Sequence, residues 1–175
     1  MRGITHGTAG VFLGALAGSA CGGGVTGLIW GMIFGVTSAL LPDIDHPGSM
    51  LGRVFRPVGL YLEERWGHRE SPTHTALFIF LVSLPFALTW LFFGHSAVPF
   101  AATFLGGASH IVLDALTRSG VRPWRYLGFL SERVRGKSYR WSLETGESLH
   151  ELVLTAVLFL GTAMLLIFSL NNIGI

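Results

Sequence analysis

The chain is poor in charge and nearly devoid of cysteine. Only 13% of its 175 residues are charged and 50% are hydrophobic, against about 25% charged in a soluble domain. That balance excludes an ordinary water-soluble protein and points to an integral membrane protein. The single cysteine, Cys21, excludes an internal disulfide framework and a cysteine-rich zinc site. A net charge of +2, without a basic stripe interleaved with aromatics, argues against a nucleic-acid partner. No internal repeat or low-complexity tract is evident. A signal peptide is poorly supported as well. Gly18-Ser19-Ala20-Cys21 loosely matches a lipoprotein cleavage site, but only Arg2 precedes the apolar run and Gly18 stands where a branched aliphatic is expected. What the chain does have is histidine, seven in all.

Five apolar segments follow one another. Residues 7–20 and 25–41 are short, rich in glycine and alanine, and joined by Gly22-Gly23-Gly24, which reads as a helical hairpin. Residues 73–93 and 97–117 are joined by a turn around Gly94-His95-Ser96, and residues 151–170 form the last segment. A spanning helix needs about 17–25 residues, so the last three qualify and the first two are marginal. Small residues in those two would let backbones approach closely. Within 42–72, apolar residues at three- and four-residue steps (Leu51, Val54, Phe55, Val58, Leu62, Trp66) predict an interfacial amphipathic helix interrupted near Pro57. Residues 118–148 mix seven basic residues with Trp124, Tyr126, Phe129, Tyr139 and Trp141, a composition suited to the headgroup layer. The expected fold is all-α: one membrane-embedded domain over residues 1–175, a bundle of about five transmembrane helices plus the amphipathic helix.

Threading five spans through a bilayer puts the amino terminus, residues 42–72 and residues 118–148 on one side. All twelve Lys and Arg fall there, so the positive-inside tendency assigns that side to the cytoplasm. Every acid and every histidine except His95 lies on the same side. His95 reads as structural.

The polar residues on that side have ligand chemistry. In Leu41-Pro42-Asp43-Ile44-Asp45-His46-Pro47, an apolar run ends in two carboxylates and an imidazole. They serve either as helix-end caps in a solvated loop or, with a bend between the bracketing prolines, as ligands of one ion. His110 and Asp114 are four apart, on one face of a helix. Paired ionisable residues within a span are costly and usually functional, which favours a ligand pair over a packing histidine. Ser71-Pro72 reads as a helix start, with Ser71 as N-cap and His74 in the first turn. His6 opens the first helix. Six metal-ligand candidates result: His6, Asp43, Asp45, His74, His110 and Asp114. A mixed His/carboxylate set suits Zn, Mn or Fe better than Ca or Mg, with Zn or Mn preferred here. Six donors exceed one tetrahedral site, so either two ions share them or some only orient ligands. His150 and Glu151 open the last span, as a ligand, a general base or acids placed at a helix N-terminus.

These residues also carry a family likeness. Leu41 to Pro47 with Ser49 and Leu51-Gly52 resembles the "LPDIDHP-S-LG" element of the YdjM-like family. His68-Arg69 through Thr73-His74-Thr75 resembles its "HRG-THS" element. Ser109-His110-Ile111-Val112-Leu113-Asp114-Ala115-Leu116-Thr117, with Gly120-Val121 and Pro123-Trp124, resembles its "SHILLDxLT-xG" element. His6 and the Gly146–Glu151 stretch match weaker flanking signals, so the likeness covers roughly residues 5–155. It implies a metal-dependent hydrolase of a bacterial inner membrane. Two departures stand out: His68 and His74 are one residue further apart than usual, with Glu70 where glycine is common, and Glu151 matches only after a one-residue shift that leaves His150 in competition.

The expected chemistry is therefore hydrolysis by a metal-activated water. His46 or a nearby carboxylate would accept the proton, Arg69 would stabilise negative charge on a phosphoester, and His68 and Glu151 complete the catalytic candidates. Location at the membrane surface favours a lipid or membrane-associated phosphoester as substrate, with the bilayer as the standing partner. A metal transporter or sensor is the alternative, because intramembrane His and Asp also mark ion paths, although the segments show no inverted duplication. A structural protein whose polar residues cap helices is the third reading.

Overall fold

The computed structural model describes residues 1–94, 96–141, 143 and 148–171. These form eight α-helices and, among the described residues, no β-strand. Helix α1 spans Gly3–Ala20 and α2 Gly24–Leu40. Positive φ at Gly22 and Gly24 turns the chain between them, where a side chain would be strained. A 3-10 turn, Leu41–Asp45, leads to two short helices, α3 (Met50–Val54) and α4 (Arg56–Trp66). The break between them, next to Pro57, is the interruption expected in the amphipathic stretch. Apolar Met50, Val54, Phe55 and Tyr61 are exposed, as suits a helix lying at a lipid interface. Then come α5 (Ala76–Phe93), α6 (Val98–Ala115), α7 (Glu132–Arg135) and α8 (Leu149–Asn171).

Helices form at all five apolar segments, with shifted ends, but their spanning capacity differs from the expectation. The second segment, expected to be marginal, qualifies, while the third, expected to qualify, does not, and neither does the first. Gly24–Asp45, Val98–Ala115 and Leu149–Asn171 are long and apolar enough to cross a membrane, whereas Ala76–Phe92 is shorter. The reason is local. The turn at Leu41–Asp45 lengthens the second segment, while Ser71 caps a 3-10 turn, Pro72–His74, and not the helix itself. Helix α5 starts at Ala76 with Thr75 as its cap, accepting from Phe78 N–H. His74 therefore sits before the helix, not in its first turn as the Ser-Pro pair predicts. His95 and residues 144–147 lie outside the described residues.

Glycine decides how the bundle packs. On α1, Gly10, Gly14 and Gly18 recur every four residues, and on α2 Gly27, Gly31 and Gly35 do the same. In the antiparallel pair, a Cβ on Gly14 would strike the carbonyl of Gly31, one on Gly18 that of Gly27, and one on Gly35 that of Gly10. On α6, a Cβ at Gly106 would strike the carbonyl of Gly35. Three backbones thus touch directly, with dispersion contacts supplying the attraction that lipid tails cannot replace. Because α1, the end of α2 and the end of α6 meet at the same level, the polar residues at those ends are driven together. Helix α8 lies outside this trio and buries only Glu151 and Thr162 among its described residues.

Candidate metal centre

Four side-chain atoms converge from three elements. The turn after α2 supplies Asp43 Oδ1, the 3-10 turn before α5 supplies His74 Nε2, and α6 supplies His110 Nε2 and Asp114 Oδ2. His74 Nε2 lies 3.2 Å from His110 Nε2, 3.7 Å from Asp43 Oδ1 and 3.5 Å from Asp114 Oδ2. His110 Nε2 lies 3.5 Å from Asp43 Oδ1 and 3.4 Å from Asp114 Oδ2. An ion held tetrahedrally at roughly 2.0–2.2 Å has donor–donor edges of about 3.3–3.6 Å. The observed separations fall at or near that range.

Hydrogen bonding behind the two rings fixes which nitrogen faces inward. His110 Nδ1–H donates to the Ala39 carbonyl at 2.7 Å, which leaves Nε2 as the lone-pair atom. His74 Nδ1 lies 3.1 Å from Asp45 Oδ2, the carboxylate–histidine pairing that orients metal-binding imidazoles. Asp45 Oδ2 also accepts from Thr73 Oγ1 at 3.3 Å. Two inward lone pairs facing each other repel unless a proton or cation lies between them. Asp114 points the same way. Its Oδ1 is surrounded by His6 Nε2 (3.3 Å), Arg69 Nη2 (3.3 Å) and the Met1 amino group (3.2 Å), while its buried Oδ2 receives no hydrogen bond. His6, Asp45, His74, His110 and Asp114 are all essentially inaccessible to solvent, where ionised groups are costly unless paired or bound to a metal. Burial by itself would lower the His74 pKa, but the Asp43 and Asp45 carboxylates outweigh it and push the pKa up to about 9. The donor set and its orphaned oxygen fit a divalent ion.

The other sequence candidates surround this ring. His6 stacks on His110 with ring centroids 3.9 Å apart, and its buried Nδ1 has no hydrogen-bond partner. His6, His110 and Asp114 make one group of ligand-type atoms, and Asp43, Asp45, His68 and His74 make a second that abuts it. His68, 31% exposed, holds Asp45 Oδ1 at 2.8 Å. His46 is further out, 47% exposed, with Nδ1 3.2 Å from Glu63. Arg69 donates to Thr117 Oγ1 at 2.8 Å and pairs with Asp114, so its guanidinium is engaged by the protein. It adopts a left-handed backbone, φ 68°, which non-glycine residues rarely do. Glu151 is turned inward and His150 outward. Glu151 Oε1 accepts from Arg2 N–H (2.5 Å) and Thr5 Oγ1 (2.9 Å), tying α8 to the start of α1. The Glu70 carboxylate pairs with Arg122 and Arg125, which joins the loop before α5 to the one after α6. Thr73, Thr117, Thr5 and the Ala39 carbonyl are site residues that sequence reasoning misses, since hydroxyls and carbonyls carry no spacing signal.

A mouth opens beside Asp43. A polar depression of about 370 Å³ is lined by Asp43, His46, Ser49 and His68, among others. The partly exposed Asp43 links the buried ring to this mouth.

Comparison with known proteins gives the chain a family. A family described as YdjM inner membrane protein matches residues 1–172. YvsG of Bacillus subtilis (strain 168) is 34% identical over 124 residues, 70% of each chain. The inner membrane protein YdjM of Escherichia coli (strain K12) is 36% identical over 90 residues, 49% of this chain and 44% of that protein. YdjM of Shigella flexneri matches to the same extent. No solved structure matches. The three sequence elements, the all-helical bundle and a match over nearly the whole length agree: the chain belongs to the YdjM inner membrane protein family.

Proposed function

We propose that the chain is a membrane-bound metal-dependent hydrolase, a single domain over residues 1–175, with its site at the cytoplasmic face of the inner membrane. The observation that carries this reading is the ring of Asp43, His74, His110 and Asp114, whose spacing matches a tetrahedral donor set. Two imidazoles and two carboxylates suit zinc first and manganese second. A bound divalent ion would supply a water of lowered pKa and polarise the bond to be cleaved.

The chain's own residues do the rest. Asp45 holds His74 by Nδ1, and the Ala39 carbonyl holds His110 by Nδ1, so both rings stay oriented with metal or without it. His6 and Arg69 take up charge on the far oxygen of Asp114. His46, paired with Glu63 at the mouth, is placed to carry a proton between site and solvent, while His68 steadies Asp45. Glu151 keeps the first turn of α1, and with it His6, against the site. The cytoplasmic orientation rests on the charge asymmetry: all twelve Lys and Arg flank the site end of the spans. A site opening at that level favours a lipid or membrane-associated phosphoester.

Elemental analysis of purified protein beside Asp43→Ala and His110→Ala tests the metal site before any substrate is known. Near-stoichiometric zinc or manganese in the parent, lost in both variants, is expected; equal metal in all three would sink the assignment. Hydrolysis of phospholipids and lipid phosphates by metal-verified protein then tests the reaction. No turnover on any of them would remove the hydrolase reading.

A further inference from the structure

An apolar groove of about 630 Å³ runs between α1 and α2 on one side and α8 on the other, with Val11, Met32, Val36, Phe159, Ala163 and Leu166 in its walls. Its two threonines are satisfied within their own helices, Thr8 by the Ile4 carbonyl and Thr162 by the Leu158 carbonyl, so no polar group in it requires a polar ligand. The groove does not stop short of the site. Gly3, Leu40 and Met50 line both the groove and the polar mouth that contains Asp43, His46 and His68. From Gly3 to Val11 on α1, and from Leu40 back to Met32 on α2, the walls run about 12 Å at 1.5 Å per residue. That is most of one leaflet, about 15 Å of a 30 Å hydrocarbon core.

Resting on the hydrolase reading, we infer that the substrate is an amphiphile with its polar head in the mouth and one hydrocarbon chain in this groove. The continuity of apolar and polar linings selects that occupant. A soluble phosphoester would leave the groove unused, and a partner helix would not need a polar mouth at one end. Burial of the chain favours binding, and specificity then lies in the head group.

The test uses the full-length protein in phosphatidylethanolamine–phosphatidylglycerol vesicles containing a phosphatidylglycerol with a photoactivatable group near the end of one acyl chain. Crosslinks mapped by mass spectrometry should concentrate on Val11, Met32 and Leu166 over the outward-facing Leu160 and Phe168. Ala163→Trp, or independently Thr8→Trp, should cut groove labelling about tenfold, the effect of losing roughly two buried methylenes, with metal content unchanged as the control for folding. Uniform labelling of all lipid-facing residues overturns the inference, as does groove labelling indifferent to both substitutions. A groove left unlabelled while Leu160 and Phe168 are labelled overturns it in favour of a protein occupant. The two readings fail separately. Groove labelling in a protein that binds no metal leaves the chain site standing and removes the hydrolase. A metal-loaded protein that hydrolyses a water-soluble phosphoester but labels uniformly does the reverse.

Discussion

Helices α1, α2 and α6 meet backbone to backbone, whereas α8 meets the same bundle through side chains. In the trio, a Cβ on Gly14, Gly31, Gly35 or Gly106 would run into a carbonyl of the neighbouring helix. At the α8 contact, a Cβ on Gly161 would meet only the Phe12 ring, at 2.7 Å, and a ring can move. The difference separates two jobs. The trio is a rigid frame whose ends carry Asp43, His110 and Asp114 at fixed separations. Helix α8 is an outlying wall that leaves a groove beside the frame and is latched at one end through Glu151 to Thr5 and Arg2.

The sharpest way to break this contrast is to add one methyl group to each contact. Gly31→Ala forces the Gly14 backbone away and should cost roughly 3 kcal/mol, read as loss of thermal stability in detergent together with bound metal. If it is as mild as Gly161→Ala, the rigid-frame account fails. His110→Ala removes an inward donor and leaves the fold, so metal affinity should fall by more than about 100-fold, beyond the 10–100-fold typical of residues that only orient ligands. Isothermal titration with Zn would show it. Asp45→Asn keeps the shape but weakens the hold on His74, and a loss of about 10–100-fold is expected from the same titration. A complete loss of metal would instead make Asp45 a ligand.

Proton competition gives the next effect. His74, raised to about 9 by its carboxylates, is protonated at neutral pH when no metal is bound. The ion must displace that proton, so metal affinity should climb about tenfold per pH unit between 6 and 8 and flatten as pH passes the His74 pKa. A pH-independent affinity would contradict the inward Nε2. Gly161→Ala on α8 should be the smallest change, under about 1 kcal/mol, because Phe12 can rotate; it serves as the reference against which Gly31→Ala is judged.

Much of the candidate site is legible in the sequence. His110 and Asp114 at a four-residue spacing can only share a helix face, and their 3.4 Å approach follows from that geometry. Asp43 and Asp45 were equally visible as ligand types, yet their different placements were not. A bend of one residue sends Asp43 toward the ring of donors and Asp45 behind His74, and no spacing rule distinguishes these outcomes. Ser71-Pro72, a common helix start, predicts His74 inside a helix. Thr75 caps α5 instead, so the residues before it form a tighter 3-10 turn that delivers the imidazole to the site. The glycines recurring every four residues on α1 and α2 are a signal in the chain for close packing, but which backbone each one meets is fixed only by the folded pair. His95 and residues 144–147 lie outside the described residues.

By itself the sequence determined the solvent and the helical class, and it displayed the residues with ligand chemistry. Half-apolar composition demands a membrane, a membrane demands internally satisfied backbone, and histidine with aspartate at helix ends defines what those ends can bind. Tertiary structure alone decided which nitrogen and which oxygen face inward. That choice depends on a carbonyl at Ala39, a carboxylate at Asp45 and a guanidinium at Arg69, brought in from distant parts of the chain. Such contacts exist only once three glycine-packed helices have closed to backbone distance, because a donor's direction is set by what holds it from behind.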